Sequence, residues 1–117
     1  MDFHTLCIGC RTYRRFKQKQ IPEEILDELL ENARIANSAM NGQPLRYVLV
    51  KTSEAVRKIQ PCFHFAAALP KELGQPKEGE QPTAFIILCT EGPETPWTGI
   101  DIGIAVRTMN LNAYIYG

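Results

Sequence analysis

The segment from Thr98 to Tyr116 most restricts how this chain can fold. Ile100, Ile102, Ile104, Ala105, Val106, Met109, Leu111, Ala113, Tyr114 and Ile115 spread around most of a helical wheel. A helix apolar nearly all round must be buried. In a chain of 117 residues the expected cover is another subunit, which makes this an interface helix; the alternative is a central helix within one monomer. Strands are scarce. Arg46 to Lys51 and Thr83 to Thr90 read as strands, whereas sheets usually carry about four to six. Either a partner chain completes the sheet, or the chain is the front part of a longer polypeptide.

Pro22 opens a second, clearly amphipathic helix. Proline suits the first helical position, Glu23 and Glu24 favour the positive end of the dipole, and Ile25, Leu26, Leu29, Leu30, Ala33 and Ala36 recur at helical spacing. Residues 2 to 10 are expected to form a short helix. Ser53 is expected to cap another that runs to Ile59 and stops at Pro61. From Pro70 to Pro82 the composition turns to Pro, Gly, Lys and Glu, which predicts an exposed excursion. The run Thr83 to Thr90 is nearly all apolar and predicts a strand covered on both faces. There are no internal repeats.

Composition narrows the function classes. An apolar share of 44% is ordinary for a globular chain. Lys plus Arg and Asp plus Glu stand at thirteen each, so no net field draws nucleic acid or an acidic membrane. Any anion site must be local. Met1-Asp2-Phe3-His4 lacks the start of a signal peptide, and no apolar stretch approaches the roughly 20 residues that span a bilayer. A cytoplasmic location is the expectation, and the four cysteines are then expected to be free thiols.

Two polar segments flank the Pro22 helix. Arg11-Thr12-Tyr13-Arg14-Arg15-Phe16 offers cations and a hydroxyl, which suit a phosphate. Asn37-Ser38-Ala39-Met40-Asn41-Gly42-Gln43-Pro44 offers small side chains and amides, which suit the hydrogen-bonding edge of a flat ring system. Together they read as the two ends of a phosphorylated aromatic cofactor. Without such a ligand they are a solvated basic turn and an ordinary helix-to-strand loop. Arg15 and Lys17 are expected to be surface charge. Cys7-Ile8-Gly9-Cys10 is a CxxC pair that suits a thiol redox couple or half of a metal site, but Cys62 and Cys89 are isolated and Cys89 is expected to act as a small hydrophobe. His4 and His64 have no metal-ligand spacing, and no hydrolytic motif is present.

These segments resemble the nitroreductase family of FMN-dependent oxidoreductases. Members open with a pattern like Arg-Arg-Ser-x-Arg-x-Phe, then a Pro-x-Pro helix, then a loop like Pro-Ser-x-x-Asn-x-Gln-Pro and a strand. Here these read Cys10 to Phe16, Ile21-Pro22 and Asn37 to Pro44. Gly79 to Ile87 is similar to the segment leading into the next strand, and Asp101-Ile102-Gly103-Ile104-Ala105 with Leu111 and Ala113 to the long central helix at the dimer interface. The resemblance implies one nitroreductase-like α+β domain over residues 1–117, without the family's C-terminal portion, and an intertwined homodimer.

It further implies that Arg11, Thr12 and Arg14 contact the FMN phosphate. Ser38, Ala39 and Asn41, with Asn37 and Gln43 nearby, would approach the isoalloxazine from the neighbouring subunit. NADH or NADPH would be the reductant, and a nitroaromatic, quinone or similar small molecule the acceptor. No side chain need act as acid or base, and no metal is implied. Cys10 stands where the family has its first arginine, and Asn37 and Leu45 where it has Pro and Trp. A non-catalytic member that binds flavin or only dimerises is the alternative.

Overall fold

The computed structural model describes residues 1–117. Helices α1 (Phe3–Gly9) and α2 (Glu23–Ile35) precede strand β1 (Leu45–Val50); α3 (Ser53–Ile59) and α4 (Lys71–Gly74) precede β2 (Phe85–Thr90), and α5 (Thr98–Ile115) closes the order. Ala39–Asn41 and Gln60–Cys62 form 3-10 turns. The strands make a two-stranded sheet. The Glu91 N–H donates to the Pro44 carbonyl at 2.9 Å, joining the start of β1 to the end of β2, so the pair is antiparallel. Contacts divide the chain into two units.

The first unit comprises Met1–Arg11, Pro22–Val48 and Leu88–Gly117. Its core is the α2–α5 seam: Leu26, Leu29 and Ala33 of α2 are buried, as are Ala105 and Met109 of α5. These positions recur at three- and four-residue spacing, which places each set on one face. Leu26, only 2% exposed, alone contributes about 1.5–3 kcal/mol of apolar burial. Helix α1 begins where the Asp2 carboxylate accepts the Thr5 N–H at 3.0 Å, and it also packs on α5. Gly9 permits that approach: a Cβ there would lie 2.3 Å from Tyr114 Oη.

The second unit comprises Thr12–Ile21 and Leu49–Ile87. Residues 12–21 run without helix or strand, and their backbone is tied to the segment before β2. The Phe16 N–H donates to Glu80 O at 2.9 Å, Gln18 Nε2 to Gln81 O at 2.8 Å, and Thr83 Oγ1 to Lys19 O at 3.1 Å. Phe63 stacks on Phe85 with centroids 4.9 Å apart, and Phe16 lies 6.3 Å from Phe65 at a tilt.

Several sequence expectations change. Pro22, expected at the first helical position, is instead the N-cap of α2, one residue before its first helical residue Glu23. Thr52, not Ser53, caps α3: its hydroxyl accepts the Ala55 N–H at 3.2 Å. Pro61 sits inside a 3-10 turn. The 70–82 excursion is not wholly exposed, because it carries α4 and buries Gly74, Pro76 and Pro82. Nor is β2 covered on both faces. Cys89 is exposed, and so is Val48 of β1. Helix α5 buries a single stripe, Thr98, Asp101, Ala105 and Met109, and leaves Ile100 55% and Ile104 37% exposed. No helix is long and apolar enough to cross a membrane.

Candidate functional site

The loop after α2 is built from its own polar atoms. The Asn41 N–H donates to Ser38 O and the Gly42 N–H to Ala39 O, each at 3.0 Å. The Gln43 N–H donates to Ser38 Oγ at 3.0 Å, and Gln43 Nε2 to Asn41 Oδ1 at 2.9 Å. This tight winding puts three residues other than glycine in the left-handed region: Met40 at φ 54, Asn41 at 53 and Gln43 at 48. Such a conformation costs roughly 1–2 kcal/mol per residue, least for Asn. It persists where surrounding structure over-determines it, and such residues cluster at binding and active sites.

Two side chains from outside the loop hold it. The Asp101 carboxylate, on the first turn of α5, accepts the Ala39 N–H at 2.9 Å. Arg46 of β1 donates to Gln43 O at 3.0 Å, and its guanidinium also pairs with Glu91. Behind the loop lies a recess of about 260 Å³, walled by the end of α2 (Ala33, Arg34) and the two residues after it (Ala36, Asn37), the loop, the start of β1 (Leu45 to Tyr47), Asp101 and Ala105. The Tyr47 hydroxyl donates to Ala33 O over 3.4 Å, and burial raises the pKa of that phenol. Arg34, on the rim, is held by Glu31 at 2.7 Å. Neither rim arginine offers an unneutralised charge.

Asn37, Ser38 and Gln43 line this recess. Ala39 and Asn41 belong to the same loop, and Met40 at its apex is 89% exposed. The Asn37 side-chain amide is exposed and has no intramolecular partner. The expected phosphate contacts are not part of the recess lining. Arg11 belongs to the first unit, Thr12 and Arg14 to the second. Arg11 and Thr12 are exposed and Arg14 half-buried, and none of the three side chains has a hydrogen-bond or ion-pair partner within the chain.

Arg15 is exposed, as expected of surface charge, but it is not free. It pairs with Glu80 at 3.0 Å and donates to Leu73 O at 3.1 Å, tying residues 12–21 to the α4 region. Cys10 is buried, donates to Asn110 O at 3.4 Å and receives Arg107 Nη1 at 3.4 Å, so it is a packing residue of the α1–α5 contact. The residue that sequence reasoning did not place in the site is Asp101. Its signal was available: it is the only carboxylate in the apolar Thr98–Tyr116 segment, and it is 4% exposed.

The residues present fit FMN. By residue type, Arg11, Thr12 and Arg14, whose side chains lack partners within the chain, suit a phosphate. The loop held by Asp101 and Arg46, with the unpartnered Asn37 amide at its start, suits a ring edge. The sequence model of the nitroreductase family matches residues 9–117. The chain belongs to the nitroreductase family. This nitroreductase-family chain is 29% identical over 110 residues to a Methanothermobacter thermautotrophicus protein provisionally named NADH dehydrogenase/NAD(P)H nitroreductase, covering 92% of this chain and 52% of that one. A solved nitroreductase family protein from Clostridium novyi superposes with a TM-score of 0.75 at 19% identity, over 100% of this chain and 66% of that one. A nitroreductase with bound FMN from Bacteroides fragilis gives 0.72 at 24% identity, over 97% and 65%. The fold is therefore the α+β nitroreductase fold. The chain spans about half the length of the curated relative.

Proposed function

We propose that this chain is an FMN-dependent oxidoreductase of the nitroreductase type, using NADH or NADPH as reductant and a nitroaromatic, quinone or similar small molecule as acceptor. The observation that carries the reading is the Ser38–Pro44 loop, fixed in left-handed conformations at three residues other than glycine in a member of this family. Bound FMN would supply the hydride chemistry. The chain's own part is to bind and orient. Arg11, Thr12 and Arg14 would hold the phosphate, while Asn37, Ser38, Ala39, Asn41 and Gln43 would present amide and backbone groups to the ring. Asp101 is engaged by the Ala39 N–H, so no side chain is assigned as acid or base, and the role of the protein is positioning and exclusion of competing reactions.

The same reading includes a homodimer, supported by Ile100 and Ile104 standing exposed along α5. A flavin-binding or dimerising member without turnover is the second reading. It is favoured by Cys10, a buried thiol where the resemblance expects a phosphate-binding arginine. Absorbance separates them. The purified chain mixed with excess FMN and separated from free flavin is expected to keep flavin bands and to oxidise NADH or NADPH when an acceptor is added; bands without turnover favour the second reading, and a colourless protein refutes both flavin readings. Arg14→Ala is expected to weaken FMN binding by about 1.5–3 kcal/mol, as for one hydrogen bond to a charged group; titration of flavin fluorescence reads this directly.

A further inference from the structure

We infer that Asp101 is a positioning residue whose buried carboxylate presets the Ser38–Pro44 loop for the flavin ring through a chain of polarised peptide groups. This inference rests on the flavin reading above. The chain of bonds is continuous. Asp101 Oδ1 accepts the Ala39 N–H at 2.9 Å. That N–H shares its peptide unit with the Ser38 carbonyl, which in turn accepts the Asn41 N–H at 3.0 Å. Asn41 is one of the left-handed residues, and its Oδ1 accepts Gln43 Nε2 at 2.9 Å.

Charge is what distinguishes this anchor from an ordinary hydrogen bond. A charge-assisted bond is roughly twice as strong as a neutral one, and hydrogen bonds in series strengthen one another in a low-dielectric setting. A carboxylate pulling on the Ala39 N–H makes the Ser38 oxygen a better acceptor, which tightens the turn at Asn41. Asp101 is 4% exposed and has no ion-pair partner; the guanidiniums lining the same recess are taken by Glu31 and Glu91. Keeping a buried carboxylate unpaired is costly. Its position on the first turn of α5 lowers that cost through the helix dipole. An asparagine would fit the same space more cheaply, so the charge points to a role in fixing the loop.

The test compares the wild-type chain with Asp101→Asn and Asp101→Ala by two measurements. Amide exchange is followed residue by residue by NMR without flavin, and FMN affinity by fluorescence titration. The expected result is faster exchange confined to residues 39–43 in Asp101→Ala, with Leu29 and Ala33 of the core unchanged. FMN binding should weaken on the order of ten- to a hundredfold, and Asp101→Asn should fall between on both measures. Unchanged exchange at residues 39–43, acceleration spread evenly over the core, or unchanged FMN affinity overturns the proposal. Where Asp101→Ala does not fold, Asp101→Asn carries the same comparison. A wild-type chain that takes up no FMN refutes the flavin reading, and exchange at Ala39 then decides alone whether Asp101 positions the loop.

Discussion

Glu28 of α2 receives two hydrogen bonds from the end of α5, from Tyr116 Oη at 2.5 Å and Asn112 Nδ2 at 2.8 Å, while Asn32 donates to Asn112 at 3.0 Å. The Tyr116 bond first, then that from Asn112, holds the Glu28 carboxyl below its ordinary pKa. The same carboxylate holds the Tyr116 phenol above its own. A lowered carboxyl pKa contributes stability that is complete above the unfolded value, about pH 4.3, and is lost as pH falls through the folded one. A raised tyrosine contributes below about pH 10 and is lost as pH rises further. Glu28→Gln is therefore expected to lower the thermal midpoint by a few degrees at pH 7, the gap from wild type closing toward pH 3 in a melting series. At Gly9, alanine gains roughly 1 kcal/mol of helix propensity but forces a Cβ to within 2.3 Å of Tyr114 Oη. Overpacking of about 1–3 kcal/mol outweighs that gain. Urea unfolding of Gly9→Ala should show a net loss of about 1 kcal/mol, partly recovered when Tyr114→Leu is added. None of these partners was legible in sequence, because residues 80 or more positions apart meet only when α2, α1 and α5 pack.

Among the elements, α2 was the most legible, since Leu26, Leu29 and Ala33 recur at helical spacing and are the residues found buried. Leu26→Ala should cost about 2–5 kcal/mol through lost burial and a cavity, read as a shift in the unfolding midpoint at constant slope. The strands were found in sequence with their ends misplaced by a residue or two, as expected where fraying and propensity decide. Cys89 escaped the apolar-run argument because periodicity reports what a face prefers, while exposure depends on whether another element lies over it. The loop was legible as a loop and as a ring-edge candidate. Its left-handed residues were not, because Met and Gln carry no preference for that region; the bonds from Asp101 and Arg46 help impose it.

At the scale of the whole molecule, two features bear on the proposed homodimer. The sheet has only two strands, and α5 buries one stripe while Ile100 and Ile104 remain exposed. Sedimentation of the wild-type chain at micromolar concentration is expected to show two chains per particle. Ile100→Glu with Ile104→Glu should shift it toward one, since burying two unpaired carboxylates is costly. A wild-type monomer would refute the interface role of residues 98–116.

By itself the sequence determined four of the five α-helices, missing the single turn of α4, together with the pair of strands, the basic Arg11–Arg14 segment and the polar loop, because each depends on local spacing, turn chemistry and residue type. It also carried the motifs of the nitroreductase family in order. Only the tertiary structure decided that Arg15 is committed to Glu80 and Leu73 while Arg11 and Arg14 keep their guanidiniums free of ion pairs. It alone placed a buried carboxylate from α5 under Ala39. The physical reason is that a charge's role depends on which partner reaches it through space, and a sequence orders residues along the chain without fixing those distances.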